Sequence, residues 1–171
     1  LECPLDATKA ALAIAKKHGT FTILNPAPAI PLELDFLRSF DLITPNQQEA
    51  AVLLGLDHTP EPPELADRLH AANLTNAVVT LGSRGSLLVT PTERLLFPAL
   101  PVAAMDTTGA GDTFNAALAV ALSRGKSMPE ALEFATNASA WSVARRHVLE
   151  ALPTADQLTA AYRTVFPIQL L

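Results

Sequence analysis

The stretch Asp106-Thr107-Thr108-Gly109-Ala110-Gly111-Asp112-Thr113-Phe114-Asn115 carries the residue types and spacing best suited to chemistry in this chain. Glycines at 109 and 111 let the backbone turn tightly and approach a ligand. The residues after them begin a helix, whose unpaired N–H groups and positive dipole end favour an anion such as a phosphoryl group in transfer. Asp112 falls in the first turn of that helix, where a carboxylate could take a proton from an attacking hydroxyl. For an isolated Gly-x-Gly-Asp, a glycine turn with an acid complementing the helix dipole is the better account. No Gly-Lys-Ser/Thr follows, so this is not a Walker A loop.

Three other strings lie in loops that follow strand-like runs. Asn46-Gln47-Gln48-Glu49 has the spacing of a capping box, with Asn46 as cap and Glu49 reaching back. Thr80-Leu81-Gly82-Ser83-Arg84-Gly85 reads by itself as a hairpin turn. Asn25-Pro26-Ala27-Pro28-Ala29 is a stiff, non-helical loop closing a strand.

Positioning these loops requires an alternation of strands and helices. Ala7, Ala10, Ala11, Ile14 and Ala15 follow one helical face, with Asp6 as cap and Gly19 as stop. Phe21–Leu24 and Leu42–Thr44 read as short strands, and Leu1–Pro4 as the end of another running into a turn. Asn46–Leu54 reads as a helix, and a proline-rich link at 60–63 precedes a helix over Glu64–Ala72. Ala77–Leu81 and Ser86–Val89 form a hairpin, followed by a strand over Leu95–Phe97. Phe114, Ala117, Leu118, Ala121 and Leu122 line one face of the next helix. Ser127-Met128-Pro129-Glu130 is a capping box opening a helix to about Arg146, and Thr154 to Gln157 opens the last one. The pattern predicts an α/β fold with a doubly wound, mainly parallel sheet and flanking helices. Ligands of such sheets sit beyond the carboxyl ends of the strands.

Composition narrows the function. The chain has 171 residues, net charge −5 and no basic cluster, which excludes nucleic acid as a bulk partner. No apolar run is long enough to cross a bilayer. One cysteine, Cys3, excludes an internal disulfide and suits a reducing cytoplasm. His18, His58 and His70 show no metal-ligand spacing. The chain opens at Leu1 without a methionine, so upstream sequence is expected.

From Leu1 to about Pro153, these strings in their order resemble the ribokinase, or PfkB, carbohydrate kinase family. The string from Asp106 to Phe114 resembles its signature, and Asn46-x-x-Glu49 resembles its Asn-x-x-Glu motif. Asn25-Pro26-Ala27-Pro28-Ala29 and Leu1-Glu2-Cys3-Pro4 resemble the ribokinase branch. The resemblance implies ATP as phosphoryl donor, Mg²⁺, and D-ribose phosphorylated at its terminal hydroxyl. It makes Asp112 the catalytic base, with Gly109, Ala110 and Gly111 stabilising the transferring phosphoryl group. It places Asn46, Thr80, Gly82, Ser83, Arg84, Gly85, Gly111 and Thr136 at the nucleotide, Glu49 at Mg²⁺ through water, and Glu2 and Asp112 at the sugar. Other acceptors of the family (fructose, a keto-deoxy sugar acid, a nucleoside) are alternatives, as is a non-catalytic nucleotide-binding fragment.

The resemblance also implies a monovalent cation, commonly K⁺, beside Asp106 and Thr108, with Ser142 and Arg145 on its far side. That far side departs from the family's Arg-x-Gly-Ala-x-x-Ser-x-Pro. It reads Arg145-Arg146-His147-Val148-Leu149-Glu150-Ala151-Leu152-Pro153, with His147 for glycine and Ala151 for serine. A position that needs positive φ resists histidine, which puts the ion site in question. The family's glycine-rich sugar loop and β-sheet lid lie upstream of the portion matched here. The 171 residues thus correspond to the C-terminal, nucleotide-binding and catalytic portion of a homodimeric enzyme, and alone they are expected to be inactive.

Overall fold

Short apolar runs broken by glycine and proline build a sheet whose strands are brief. The computed structural model describes residues 1–161 and 169–170. Strands β1 (Ile23–Leu24), β2 (Leu42–Ile43), β3 (Ala77–Thr80), β4 (Ser86–Val89), β5 (Arg94–Phe97) and β6 (Gln169–Leu170) form one six-stranded sheet in that order. β1 pairs parallel to β2, and β2 parallel to β3, with Ile23 opposite Leu42 and Ile43 opposite Ala77. The links from β3 to β4 and from β4 to β5 are too short for a parallel crossover, so those neighbours run back and forth. The sheet is therefore mixed, where alternation alone suggested a mainly parallel one.

The chain divides into two compact units, Leu1–Leu81 with Leu87–Leu96 and Leu170–Leu171, and Gly82–Ser86 with Phe97–Gln169. In the first, helices α1 (Leu5–Lys17), α2 (Leu34–Arg38), α3 (Gln47–Leu53) and α4 (Pro62–Ala71) accompany the strands. Its core gathers Leu37, Leu65, Leu69, Val79, Leu87 and Val89, all nearly inaccessible. In the second, α5 (Ala110–Ser123) packs on α6 (Met128–Val143), and α6 also meets α7 (Ala155–Ala161). Alanines at 117, 121, 131, 135 and 138 are buried there. Small side chains let these helices pack closely, which accounts for the low aromatic content.

Several expectations need correction. Residues 1–4 form no strand and lead directly into α1. Asp6 is not its cap: Pro4 holds that position without a side-chain bond, and Asp6 lies in the first turn. Gly19 does close the helix, at φ +63. The face of α1 that is covered carries Leu5, Thr8, Leu12 and Ala15, whereas Ala7, Ala10, Ala11 and Ile14 are exposed. Helical spacing found an apolar stripe, but Leu12 buries more apolar surface than several alanines do, and its face is the one that packs. Pro62 and Pro63 are themselves the first turn of α4, where proline's missing N–H costs nothing. The short helix α2 went unpredicted, because Leu34–Arg38 spans too few residues to show a period. α6 stops at Val143, three residues early, at a turn in which His147 takes φ +68.

Candidate functional site

The first unit brings Asn46, Glu49 and Thr80 together. Asn46 caps α3, its Oδ1 accepting the Glu49 amide at 2.9 Å while Glu49 Oε2 accepts the Asn46 amide at 2.7 Å. Both members of the predicted box are formed. Asn46 also bridges in parallel to Thr80, whose N–H donates to the Pro45 carbonyl at 3.0 Å. The carboxyl ends of β2 and β3 are thereby tied, and the Asn46 side chain is exposed at that edge. Asn25 braces the preceding loop, donating from Nδ2 to the Thr44 carbonyl at 3.1 Å. Glu2 is exposed near the start of the same unit.

The second unit begins with the turn after Thr80. Gly82–Arg84 make a single 3₁₀ turn closed by the Gly85 amide on the Gly82 carbonyl at 3.0 Å. Gly82 has φ +60 with open space beside its Cα, and Ser83 and Arg84 are exposed. Gly85 is fixed by two constraints: φ is +99, and a Cβ would fall 1.9 Å from the Phe97 carbonyl oxygen. This segment is legible as a turn from its glycines, while the approach of Phe97 is not.

The same unit holds the segment from Asp106 to Asp112. Gly109 is the N-cap of α5 at φ +74, a left-handed conformation that glycine takes without strain. Thr108 N–H donates to Asp106 Oδ1 at 2.9 Å, and Ala110 N–H to the Thr107 carbonyl at 3.2 Å. The Ala110 amide is thus already engaged. Gly111 and Asp112 supply N–H groups of the first turn, which α-helix geometry leaves without intrahelical acceptors. Gly111 faces open space, and the Asp112 carboxylate is exposed beside it. Thr113 Oγ1 and Asn115 Nδ2 bond back to the Gly109 and Gly111 carbonyls at 2.9 and 3.0 Å, stiffening the turn.

α6 and the loop after it support this segment. Val143's carbonyl accepts the Met105 and Asp106 amides at 2.7 and 3.2 Å. Ser139 Oγ donates to the Ala110 carbonyl at 3.3 Å. The Asp106 carboxyl is held below its ordinary pKa, first by hydrogen bonds from Thr108 and also by the His147 backbone N–H and charge. Thr136, on α6, is buried with its hydroxyl unpartnered, and the adjacent Asn137 is buried with its Oδ1 unpartnered. Orphaned buried oxygens are costly, so a ligand donor is a natural complement. Asn137 escaped the sequence reading, although a lone amide in an alanine-rich helix was a usable signal.

The four residues implied for a monovalent ion are otherwise occupied in part. Ser142 Oγ donates to the Ser139 carbonyl at 2.9 Å. Arg145 donates to the Trp141 carbonyl at 2.8 Å and lies over the Trp141 ring at 3.4 Å. His147 is exposed and adopts the left-handed conformation in spite of its side chain, contrary to the steric expectation. Among the described residues, no three His, Cys, Asp or Glu side chains converge as a metal site, and no helix is long and apolar enough to cross a membrane.

A glycine-entered helix start with free N–H groups and an exposed acid can receive an anion such as a phosphoryl group. Residues 1–155 match the model of the pfkB family carbohydrate kinases, and the chain belongs to that family. It is 37% identical over 169 residues to a ribokinase of Schizosaccharomyces pombe, covering 95% of this chain and 53% of that protein. It is 36% identical over 159 residues to a ribokinase of Haemophilus influenzae, covering 92% and 52%. The Arabidopsis thaliana ribokinase solved with ribose and ATP superposes with a TM-score of 0.80 at 30% identity, covering 87% of this chain and 49% of that one. The chain thus spans about half the length of these relatives.

Proposed function

We propose that this chain supplies the nucleotide-binding and catalytic part of an ATP-dependent ribokinase. The observation that carries the reading is Asp112, exposed in the first turn of α5, next to a Gly111 that faces open space. Asp112 accepts the proton of the terminal ribose hydroxyl as that oxygen attacks the γ-phosphorus. The bond from the γ-phosphorus to the β–γ bridging oxygen breaks, leaving ADP and ribose 5-phosphate. The Gly111 and Asp112 N–H groups meet the charge on the transferring group, with the helix dipole aligned behind them. Gly109 and Ala110 shape that turn. Preorganised donors of this kind cost no reorganisation when the charge moves.

On this reading, Asn46, Thr80, the Gly82–Gly85 turn and Thr136 bind ATP, and Glu2 meets the sugar. Thr136's unpartnered hydroxyl supports its place at the nucleotide. Glu49 suits an indirect Mg²⁺ role: Oε2 is bound to Asn46, while Oε1 has no protein partner among the described residues and is free to hold a metal-bound water. Mg²⁺, when bound, neutralises phosphate charge. Ribokinases of known sequence and the Arabidopsis complex with ribose and ATP favour ribose over other acceptors of the family. The full-length protein is read as a cytoplasmic homodimer.

A sugar-panel assay with MgATP on the full-length gene product tests the acceptor. Ribose should give the highest kcat/KM, and an equal or higher value on fructose or a nucleoside would reject it. One observation favours a second reading for the 171 residues taken alone. They span half of each relative, so the isolated chain is read as a nucleotide-binding unit without turnover. Calorimetry of this chain with MgATP should show binding and no ribose 5-phosphate.

A further inference from the structure

We propose that Ser139 is a positioning residue for phosphoryl transfer: its hydroxyl, reaching from α6 to the Ala110 carbonyl, sets the direction and polarity of the Gly111 N–H. The inference rests on the kinase reading, since that amide acts in turnover only if it meets a transferring phosphoryl group. The link is covalent geometry. The Ala110 carbonyl and the Gly111 N–H belong to one planar peptide group, so fixing one end fixes the other. Ser139 Oγ donates to that carbonyl at 3.3 Å, across 29 positions of sequence. A hydrogen bond on the carbonyl also polarises the peptide group and strengthens its N–H as a donor.

The surroundings give this bond its weight. Gly109 caps α5 without a side-chain bond, so the amides of the first turn are left to an outside acceptor. Gly111 has no Cβ and faces open space, so no side chain of its own restrains that peptide. The following peptide is held in the same way. Asn115 Nδ2 donates at 3.0 Å to the Gly111 carbonyl, whose peptide group carries the Asp112 N–H. Both amides read as meeting the phosphoryl charge thus have their carbonyl ends tied by a side chain, one from within α5 and the other from α6. Serine inside a helix often returns its hydroxyl to a carbonyl one turn back. Ser139 crosses to the neighbouring helix instead. It stands among Ala135, Ala138, Ala140 and Ala144, at a position where alanine would favour the helix more. One turn further on, the Val143 carbonyl holds the Met105 and Asp106 amides. α6 therefore grips the segment on both sides of Gly109.

The test measures ribose phosphorylation by the full-length protein with MgATP for Ser139→Ala, Ser139→Cys and Ser139→Thr, each beside a melting curve. Cysteine keeps nearly the volume of serine with only a weak S–H donor, while threonine keeps the hydroxyl. Alanine and cysteine should lower kcat about three- to ten-fold, a fraction of the roughly 10²–10³ that losing a whole anion-hole donor costs. KM for ribose and MgATP should stay within about two-fold, as for an interaction realised in the transition state. Threonine should restore kcat to within about two-fold of the wild type. In ¹⁵N-glycine-labelled protein, the Gly111 amide resonance, identified by its loss in Gly111→Ala, should move upfield in the alanine and cysteine variants. A wild-type kcat in Ser139→Ala or Ser139→Cys, or an unmoved Gly111 resonance, overturns the proposal. So does a loss of kcat that Ser139→Thr shares while melting normally, or one that follows a fall in melting temperature across all three variants. If the wild type phosphorylates no sugar, the kinase reading fails, and the Gly111 resonance still decides whether Ser139 governs that amide.

Discussion

Asn46 and Glu49 bond reciprocally, each side chain accepting the other's backbone amide, at 2.9 and 2.7 Å. The pair closes the start of α3 at the point where β2 and β3 are tied together. Its two members are separable by substitution. Asn46→Ala removes the cap and should cost about 1 kcal/mol, read by urea unfolding. Glu49→Gln keeps a neutral acceptor and should change stability by less than about 0.5 kcal/mol. The same variant should weaken MgATP binding severalfold in calorimetry while leaving metal-free ATP binding unchanged. Equal losses with and without metal would assign Glu49 to capping only.

Gly82 and Gly85 differ in their surroundings, although both have positive φ. Gly82→Ala meets open space and should cost about 1–2 kcal/mol, from the left-handed backbone alone. Gly85→Ala drives a methyl into the Phe97 carbonyl and the Ala99 amide, at 1.9 and 2.6 Å. It should be the worse of the two, at more than about 4 kcal/mol, beyond the usual range of single substitutions. Thermal unfolding followed by circular dichroism ranks them, and equal shifts would contradict the close approach of Phe97.

Gly109→Ala meets both strain and Val148 Cγ1. It should lower the melting temperature and slow phosphorylation, since the Asp112 turn moves. Adding Val148→Ala removes the steric part only, so the double variant should recover some stability and remain below wild type. Full recovery would show that the left-handed conformation is not required.

Asp41 accepts hydrogen bonds at Oδ2 from the Thr22 hydroxyl and amide, at 2.6 and 2.8 Å. The Thr22 side-chain bond leads in holding its carboxyl below the ordinary value of 3.8. The folded-state pKa lies below the unfolded one, so this contribution is present above pH 3.8 and is lost as pH falls through the depressed value. Urea unfolding across that window should show wild-type stability falling more steeply than Asp41→Asn. Parallel curves would refute the link between the bond and the shift.

How much of this was legible in the sequence depends on whether the signal was local. The capping box at Asn46, the turn at Gly82–Gly85, the glycine entry to α5 and the burial of Phe114, Leu118 and Ala121 all follow from residues within a few positions of one another. Contacts between distant residues left no such trace: Val148 on Gly109, Phe97 on Gly85, Ser139 on Ala110. The buried face of α1 was misjudged because alanine spacing says little about which stripe meets a neighbour. His147 takes the left-handed conformation at φ +68 in the turn that follows α6, which no local pattern in the sequence shows.

The central claim is that Asp112 is the base of a sugar kinase. Its most direct test is the kcat of Asp112→Asn in the full-length protein with ribose and MgATP, alongside calorimetric ATP affinity and a melting curve. The account predicts a loss of turnover on the order of 10²–10⁴-fold, the usual worth of a positioned general base. ATP affinity and melting temperature should stay near those of the wild type, because Asp112 is exposed. A variant that folds, binds ATP and phosphorylates ribose at a near-normal rate would contradict it.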